Sequence, residues 1–326
     1  MTDFAAAGHI DQSSIPVIDI APLLNDGDVI SVAQQIYDAA TQTGFFYIKG
    51  HGIDQKLIEQ AFSVSKEFFA LPQEQKQSIA VDTSQRGWMA TGMSKLQGAK
   101  THDLKEVFFW GTEVAPDHPD LLAQKAMIAQ NRWPQETFPK LKQDLTPYYD
   151  QLCSVATKVL SAIAVSLDQD ANFFDVRYQN PLARGQLVYY PQSTDTDEEV
   201  ERFGVAPHTD FGVLTFLLQD NNGGLQVRLK SGDWIEAPPI KNTLVCNIGD
   251  LLQRWSNHRF TSTVHRVINR SGNSRYSIPI FFDPHTDTIV DPCDLGVTQA
   301  QSKYEPITAG DYIVGRNSKS FSQFKT

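Results

Sequence analysis

Pro207-His-Thr-Asp-Phe-Gly-Val-Leu-Thr-Phe-Leu-Leu218 is the stretch on which the reading of this chain turns. It joins a polar His-x-Asp to the strand-like run Val213–Leu218. In an extended segment, residues two apart point to one side, so His208 and Asp210 can direct an imidazole and a carboxylate at a single point. Two such groups are not yet a site, and the rest of the chain must supply its frame and its further members.

Outward from this stretch, the second half has one texture. Gln186–Tyr190, Leu225–Leu229, Trp234–Ala237, Thr243–Ile248, Thr263–Asn269 and Tyr276–Phe282 are short β-rich runs, with turns at Asn222-Gly-Gly224 and Lys230-Ser-Gly-Asp233. Closely spaced short strands predict a sandwich, barrel or jelly roll rather than a parallel βαβ sheet. Upstream, Ile15–Ile20 and Gly44–Lys49 read as strands, and Val29–Ala40, Leu57–Phe69 and Leu141–Leu167 as helices. In the last of these, Leu152, Val155, Val159, Ile163 and Leu167 recur at steps of three and four, a stripe that reads as core. The expected organisation is a helical and strand region over 1–180 packed on a β core over 181–290, with a C-terminal extension over 291–326. All three are expected to form one integrated unit.

Bulk properties remove several classes of function. A chain of 326 residues, 41% hydrophobic and 20% charged, can bury a sizeable core. Its net charge of −10 argues against nucleic acid, which calls for clustered Lys and Arg. Cys153, Cys246 and Cys293 form no CxxC pair, so neither a disulfide framework nor a cysteine zinc site is indicated, and a cytoplasmic location is expected. Asp3, Asp11 and Asp19 in the first twenty residues exclude a secretory signal, and the chain has no apolar run of membrane-spanning length.

The third member is His265, inside the β-like Thr263–Asn269, where an unpaired imidazole among apolar residues calls for a partner. Two neutral imidazoles and one carboxylate on one face of a metal leave positions open opposite, the arrangement that suits iron(II) oxygenases. Those positions can take a chelating 2-oxo acid and O2. Ten residues after His265 comes Arg275-Tyr-Ser277, again a pair of side chains on one face of a strand. A guanidinium grips a carboxylate with two parallel hydrogen bonds and a serine hydroxyl adds a third, a socket suited to the far carboxylate of 2-oxoglutarate.

With these residues in view, the chain resembles the isopenicillin N synthase-like family of 2-oxoglutarate and iron(II)-dependent dioxygenases. The matching pieces stand in order as Ile15-Pro-Val-Ile-Asp-Ile20, Gly44-Phe-Phe-Tyr-Ile-Lys-Gly-His-Gly52, Phe68-Phe-Ala-Leu-Pro72, Tyr189-Tyr-Pro191, His208-Thr-Asp-Phe-Gly212, Asn247-Ile-Gly-Asp250, Val264-His-Arg-Val267 and Arg275-Tyr-Ser277. The resemblance implies a distorted double-stranded β-helix, or jelly roll, with N-terminal helices around it. It implies His208, Asp210 and His265 as iron ligands, and Arg275, Ser277 and Tyr190 as the 2-oxoglutarate site. The implied activity is oxidation of a small molecule, by hydroxylation, desaturation or cyclisation, with release of succinate and CO2. Many plant members have Asn-Tyr-Tyr-Pro where this chain has Val188-Tyr-Tyr-Pro191, and the acidic stretch Ser193–Arg202 is longer than theirs. That stretch reads as a solvated loop, with a role in access or release as the functional alternative.

By the same resemblance, Trp88, Phe109, Gln186, Phe211 and Phe282 are candidates to line the substrate pocket. His51 reads as part of a turn, His102, His118 and His258 as solvent-facing, and Asp283-Pro-His285 as a turn rather than a second metal pair. Two other functions stay open at this point. One is a relative that oxidises its substrate without 2-oxoglutarate, and the other is a non-catalytic jelly-roll protein with a structural zinc, against which three ligands rather than four argue.

Overall fold

Phe45-Phe-Tyr-Ile48 is apolar at every position and buried at every position, which a strand covered on both faces requires. Phe45 and Tyr47 enter one core, Phe46 and Ile48 another, so this one strand shows the two layers of the protein. The computed structural model describes residues 15–25, 27–96 and 98–320, with Lys319 and Ser320 described by backbone alone.

In chain order the principal strands are β1 (Val17–Asp19), β2 (Phe45–Lys49), β3 (Gly87–Met89), β4 (Glu106–Gly111), β5 (Leu182–Tyr190) and β6 (Val205–His208). They continue as β7 (Leu214–Gln219), β8 (Leu225–Arg228), β9 (Trp234–Glu236), β10 (Thr243–Ile248), β11 (His265–Val267) and β12 (Arg275–Asp283). A large sheet runs β1-β2-β10-β7-β12-β5-β4-β3, and a smaller one runs β6-β11-β8-β9. Only the β1–β2 pair among these is parallel. Chain neighbours such as β7 and β8 lie in different sheets, so the chain wraps between the two, and the core is the expected double-stranded β-helix.

Phe45, Tyr47, Val188 and Val245 of the large sheet meet Val205, Val227, Ile235 and Val267 of the small one in the inter-sheet core. On its other face the large sheet presents Phe46, Leu187, Phe216, Cys246 and Ile280 to helical Ile36, Phe68, Leu152, Val159 and Ile163. The helices expected from spacing form as Val29–Gln42, Gln55–Phe69 and Lys140–Ser166. Asp28 and Asp54 cap the first two by accepting hydrogen bonds from Ser31 N and Lys56 N. Among the described residues no helix is long and apolar enough to cross a membrane.

Three of these twelve principal strands were not foreseen. Glu106-Val-Phe-Phe-Trp-Gly111 lacks alternation because both its faces are buried, β3 is three residues long, and β6 carries Pro207 and ends on a polar histidine. The acidic stretch also corrects its reading as a loop, since Asp195–Glu199 is a short helix. Thr194 accepts from Asp197 N while the Asp197 carboxylate accepts from Thr194 N, a capping box legible as Thr-x-x-Asp. Arg270 and Lys100 pair with Glu198 and Glu201 to hold it down.

Two glycines permit the close approaches that set the site. Gly44 has φ +66°, and a Cβ there would lie 2.0 Å from the Thr261 carbonyl oxygen. A Cβ on Gly212 would lie 1.9 Å from Asp283 Oδ1, so the loop that follows His-x-Asp packs directly against the end of β12.

Candidate active site

His208 ends β6, Asp210 follows in the loop before β7, and His265 begins β11, directly opposite His208 in the small sheet. This pairing brings together residues that lie 57 positions apart in the chain. Their ligand atoms all lie within 4.8 Å of one another, and no other such group of His, Cys, Asp and Glu occurs among the described residues. His208 Nε2 is 3.7 Å and His265 Nε2 3.6 Å from Asp210 Oδ1.

The surroundings decide which atoms face inward. Each imidazole approaches a backbone carbonyl with Nδ1, His208 that of Ala206 at 2.8 Å and His265 that of Thr263 at 3.1 Å. Donation from Nδ1 leaves each Nε2 with its lone pair directed at the common centre. Asp210 Oδ2 accepts hydrogen bonds from Asn247 Nδ2 at 2.8 Å and Thr215 Oγ1 at 2.5 Å, which turns Oδ1 toward the two imidazoles. Burial, and next the neighbouring His265, push the His208 imidazole down to about 3. At neutral pH it is uncharged, so its approach to Asp210 is not that of an ion pair. Burial pushes the Asp210 carboxyl up, but His265, His208 and the bonds from Asn247 and Thr215 outweigh it and hold it below the usual range.

Asn247 therefore orients the Asp210 carboxylate without joining the cluster. Replacing Asn247 by Ala is expected to lower iron(II) affinity about 10–100-fold, measured by anaerobic titration, with the thermal unfolding of the apo-protein little changed. Unaltered iron affinity would show that Asp210 is held by other means. The role was legible only in outline: Asn247-Ile-Gly-Asp250 stood among the matching pieces, but nothing in it indicates contact with Asp210.

Arg275 is fully buried in β12. Its Nε donates to the Gly223 carbonyl at 2.6 Å and its Nη2 to Gln219 Oε1 at 2.9 Å, while its guanidinium lies 4.8 Å from the centre of the Tyr190 ring. Nη1 is buried with no hydrogen-bond partner, and no carboxylate of the described residues pairs with this cation. A buried guanidinium with an idle donor is costly unless an anion completes it. Ser277, two residues along the same strand face, and Tyr190, opposite Arg275 on β5, line the same cavity.

That cavity contains all three members of the His/Asp cluster together with Arg275, Ser277, Tyr190, Phe109, Gln186 and Phe211. It corrects two expected pocket residues. Side chains alternate along β12, so Arg275, Ser277, Pro279 and Phe281 face the cavity, while Phe282 points with Ile278 and Ile280 into the helix-side core. Trp88 likewise shares the outer face with its partner Phe108, and its indole N–H donates to Glu106 Oε1 at 2.5 Å. Phe281 could have been found by counting in twos from Arg275. Arg184, Lys105, Gln85 and Asn317, which also line the cavity, carry no such signal. The other histidines among the described residues lie elsewhere: Nδ1 of His51 accepts from Ile53 N, His258 stacks on Tyr304, and His285 meets Asp120.

Comparison with known proteins gives the following. Residues 15–136 match the family described as non-haem dioxygenase in morphine synthesis N-terminal, and residues 177–284 match the 2OG-Fe(II) oxygenase superfamily. The chain is 35% identical over 321 residues to a 2-oxoglutarate-Fe(II) type oxidoreductase of Emericella nidulans, covering 94% of this chain and 90% of that one. It is 36% identical over 322 residues to a homoarginine-6-hydroxylase of Oryza sativa subsp. japonica, covering 93% and 96%. Among solved structures, a full-length Neurospora crassa protein in complex with alpha-KG and thymine superposes with a TM-score of 0.82 at 31% identity, covering 95% of this chain and 98% of that one.

Proposed function

Because the chain belongs to the 2OG-Fe(II) oxygenase superfamily, we propose that His208, Asp210 and His265 hold its iron(II) and that Arg275, Ser277 and Tyr190 hold its 2-oxoglutarate. The protein is a non-haem iron(II)- and 2-oxoglutarate-dependent dioxygenase that oxidises a small molecule. The observation that carries the assignment of residues is the buried Arg275, whose Nη1 lacks a partner in the same cavity as the three converging ligand atoms. The donor set fits iron(II), with two imidazole nitrogens, one carboxylate oxygen and room on the cavity side.

Iron(II) bound there, with 2-oxoglutarate and O2, supplies the oxidising power: 2-oxoglutarate is decarboxylated to succinate and CO2, taking one oxygen atom, and in a hydroxylation the other enters the substrate. The chain's own residues do the positioning. Arg275 takes the distal carboxylate of 2-oxoglutarate with its free Nη1, and the Ser277 hydroxyl donates beside it. Leu217, Leu225, Val188 and Val267 wall that end of the cavity and keep water from the paired charges. Asn247 and Thr215 hold Asp210 so that one carboxylate oxygen keeps a fixed direction.

We propose that the stretches 1–180, 181–290 and 291–326 act as one unit. Support comes from β1–β4 extending the large sheet and from Asn317 of the helix Ala309–Ser320 reaching the cavity. A cytoplasmic location is proposed with it, supported by three free cysteines. The direct test is anaerobic titration of the apo-protein with iron(II) and then 2-oxoglutarate. A visible charge-transfer band should develop only after both are present and saturate at one equivalent of each; no band at saturating iron(II) and 2-oxoglutarate would overturn the assignment.

A further inference from the structure

The charge of the cavity wall constrains the primary substrate, given the reading of the site above. Three cations line the cavity, Lys105, Arg184 and Arg275. Lys105 Nζ lies 3.3 Å from Asp103, and Arg184 Nη2 lies 2.7 Å from the fully buried Asp283. Arg316, stacked 4.6 Å from the Phe211 ring, pairs with Asp250 at 3.0 Å, and Arg86, whose neighbours Asp82 and Glu113 pair with Arg132 and Lys142, does not line the cavity. Burial pushes the Asp283 and Asp250 carboxyls up, with Arg184 and Arg316 opposing it. Both oxygens of Asp283 accept hydrogen bonds, from Val213 N and from Arg184.

Of the charged groups that line the cavity, two are left without a protein counter-charge, Arg275 and Asp210. With the co-substrate and metal in place, iron(II) and Arg275 bring three positive charges, and Asp210 and 2-oxoglutarate bring three negative ones. The cavity is then neutral, and a charged substrate would enter a desolvated space with nothing to answer it. What the substrate end still offers is polar but uncharged. The Gln186 carboxamide has no protein partner among the described residues, and the Gln85 and Asn317 carboxamides meet only at 3.4 Å, near the limit of a hydrogen bond. Each can donate and accept, and Phe211 and Phe281 supply apolar wall beside them.

We propose that the primary substrate is an uncharged molecule with an amide-type edge, such as a lactam, imide or carboxamide, on an apolar body. The test uses three probes of one size: benzamide, benzoate and protonated benzylamine. Each is titrated anaerobically into the protein loaded with iron(II) and 2-oxoglutarate, and the perturbation of the visible band is followed. Benzamide should bind at least tenfold more tightly than either charged probe. Gln186→Glu should shift the preference at least tenfold toward benzylamine, and Gln186→Lys toward benzoate. Equal or tighter binding of a charged probe by the unmodified protein would overturn the proposal. Failure of the band to form before any probe is added would instead sink the reading of the site, and this proposal with it.

Discussion

Replacement of Asp210 by Ala is expected to abolish iron(II) binding at micromolar metal and, with it, all turnover. Asp210 is the only carboxylate in the cluster, and its Oδ1 stands 3.6–3.7 Å from both imidazole nitrogens. Removing the anionic member of a buried charge pair costs about 3–5 kcal/mol, roughly a hundredfold or more in affinity. The fold should survive, because the substitution frees only the Asn247 and Thr215 donors and opens no core. Asp210→Asn separates charge from hydrogen bonding, since its carbonyl oxygen still accepts from both donors while the negative charge is gone; it too should lose the metal. Asp210→Glu should also fail, because the added methylene carries the carboxylate off the direction that Asn247 and Thr215 define. His208→Ala and His265→Ala should behave like Asp210→Ala. Circular dichroism together with anaerobic iron titration reads both properties, and wild-type iron affinity in any of the three Ala variants would remove that residue from the ligand set.

Arg275→Gln should leave iron binding intact and raise the 2-oxoglutarate requirement steeply. The guanidinium already spends Nε on the Gly223 carbonyl and Nη2 on Gln219, so Nη1 is the donor that the proposed assignment gives to the co-substrate. Loss of a hydrogen-bonded charge pair in a desolvated pocket costs about 2–5 kcal/mol, well over tenfold in affinity. Shorter 2-oxo acids without the distal carboxylate should be poor co-substrates for the unmodified enzyme and should lose little further in the variant. The pairing of these two results matters, because a general collapse of the cavity would weaken both kinds of 2-oxo acid alike. Substrate oxidation at full rate in the variant, at 2-oxoglutarate concentrations that just saturate the unmodified enzyme, would take Arg275 out of the co-substrate site.

Much of this site was legible in the linear chain because its members obey short-range rules. His208 and Asp210 are two apart, Arg275 and Ser277 are two apart on a strand, and the helices Val29–Gln42, Gln55–Phe69 and Lys140–Ser166 follow from their apolar spacing to within a turn. Where the reading failed, the local pattern was silent or was read without its parity. Phe282 was named where the alternation set by Arg275 selects Phe281. Glu106–Gly111 has no alternation because both its faces are covered, and the acidic helix Asp195–Glu199 rests on a capping box hidden in a run of charge.

By itself, then, the sequence pointed to the class of chemistry: a His-x-Asp, a later histidine and an Arg-x-Ser on short strands, together with a resemblance that runs the length of the chain, nominate the metal and co-substrate ligands. Only the tertiary structure decided what surrounds them. Lys105 meets Asp103 nearby in the chain, but Arg184 finds Asp283 from 99 positions away, Arg316 finds Asp250 from 66, and Asn317 reaches Gln85 from the other end of the protein. Which cations of the cavity wall are neutralised and which one is left without a partner depends on such pairings, and Coulomb energy depends on distance through space, to which separation along the chain gives no guide.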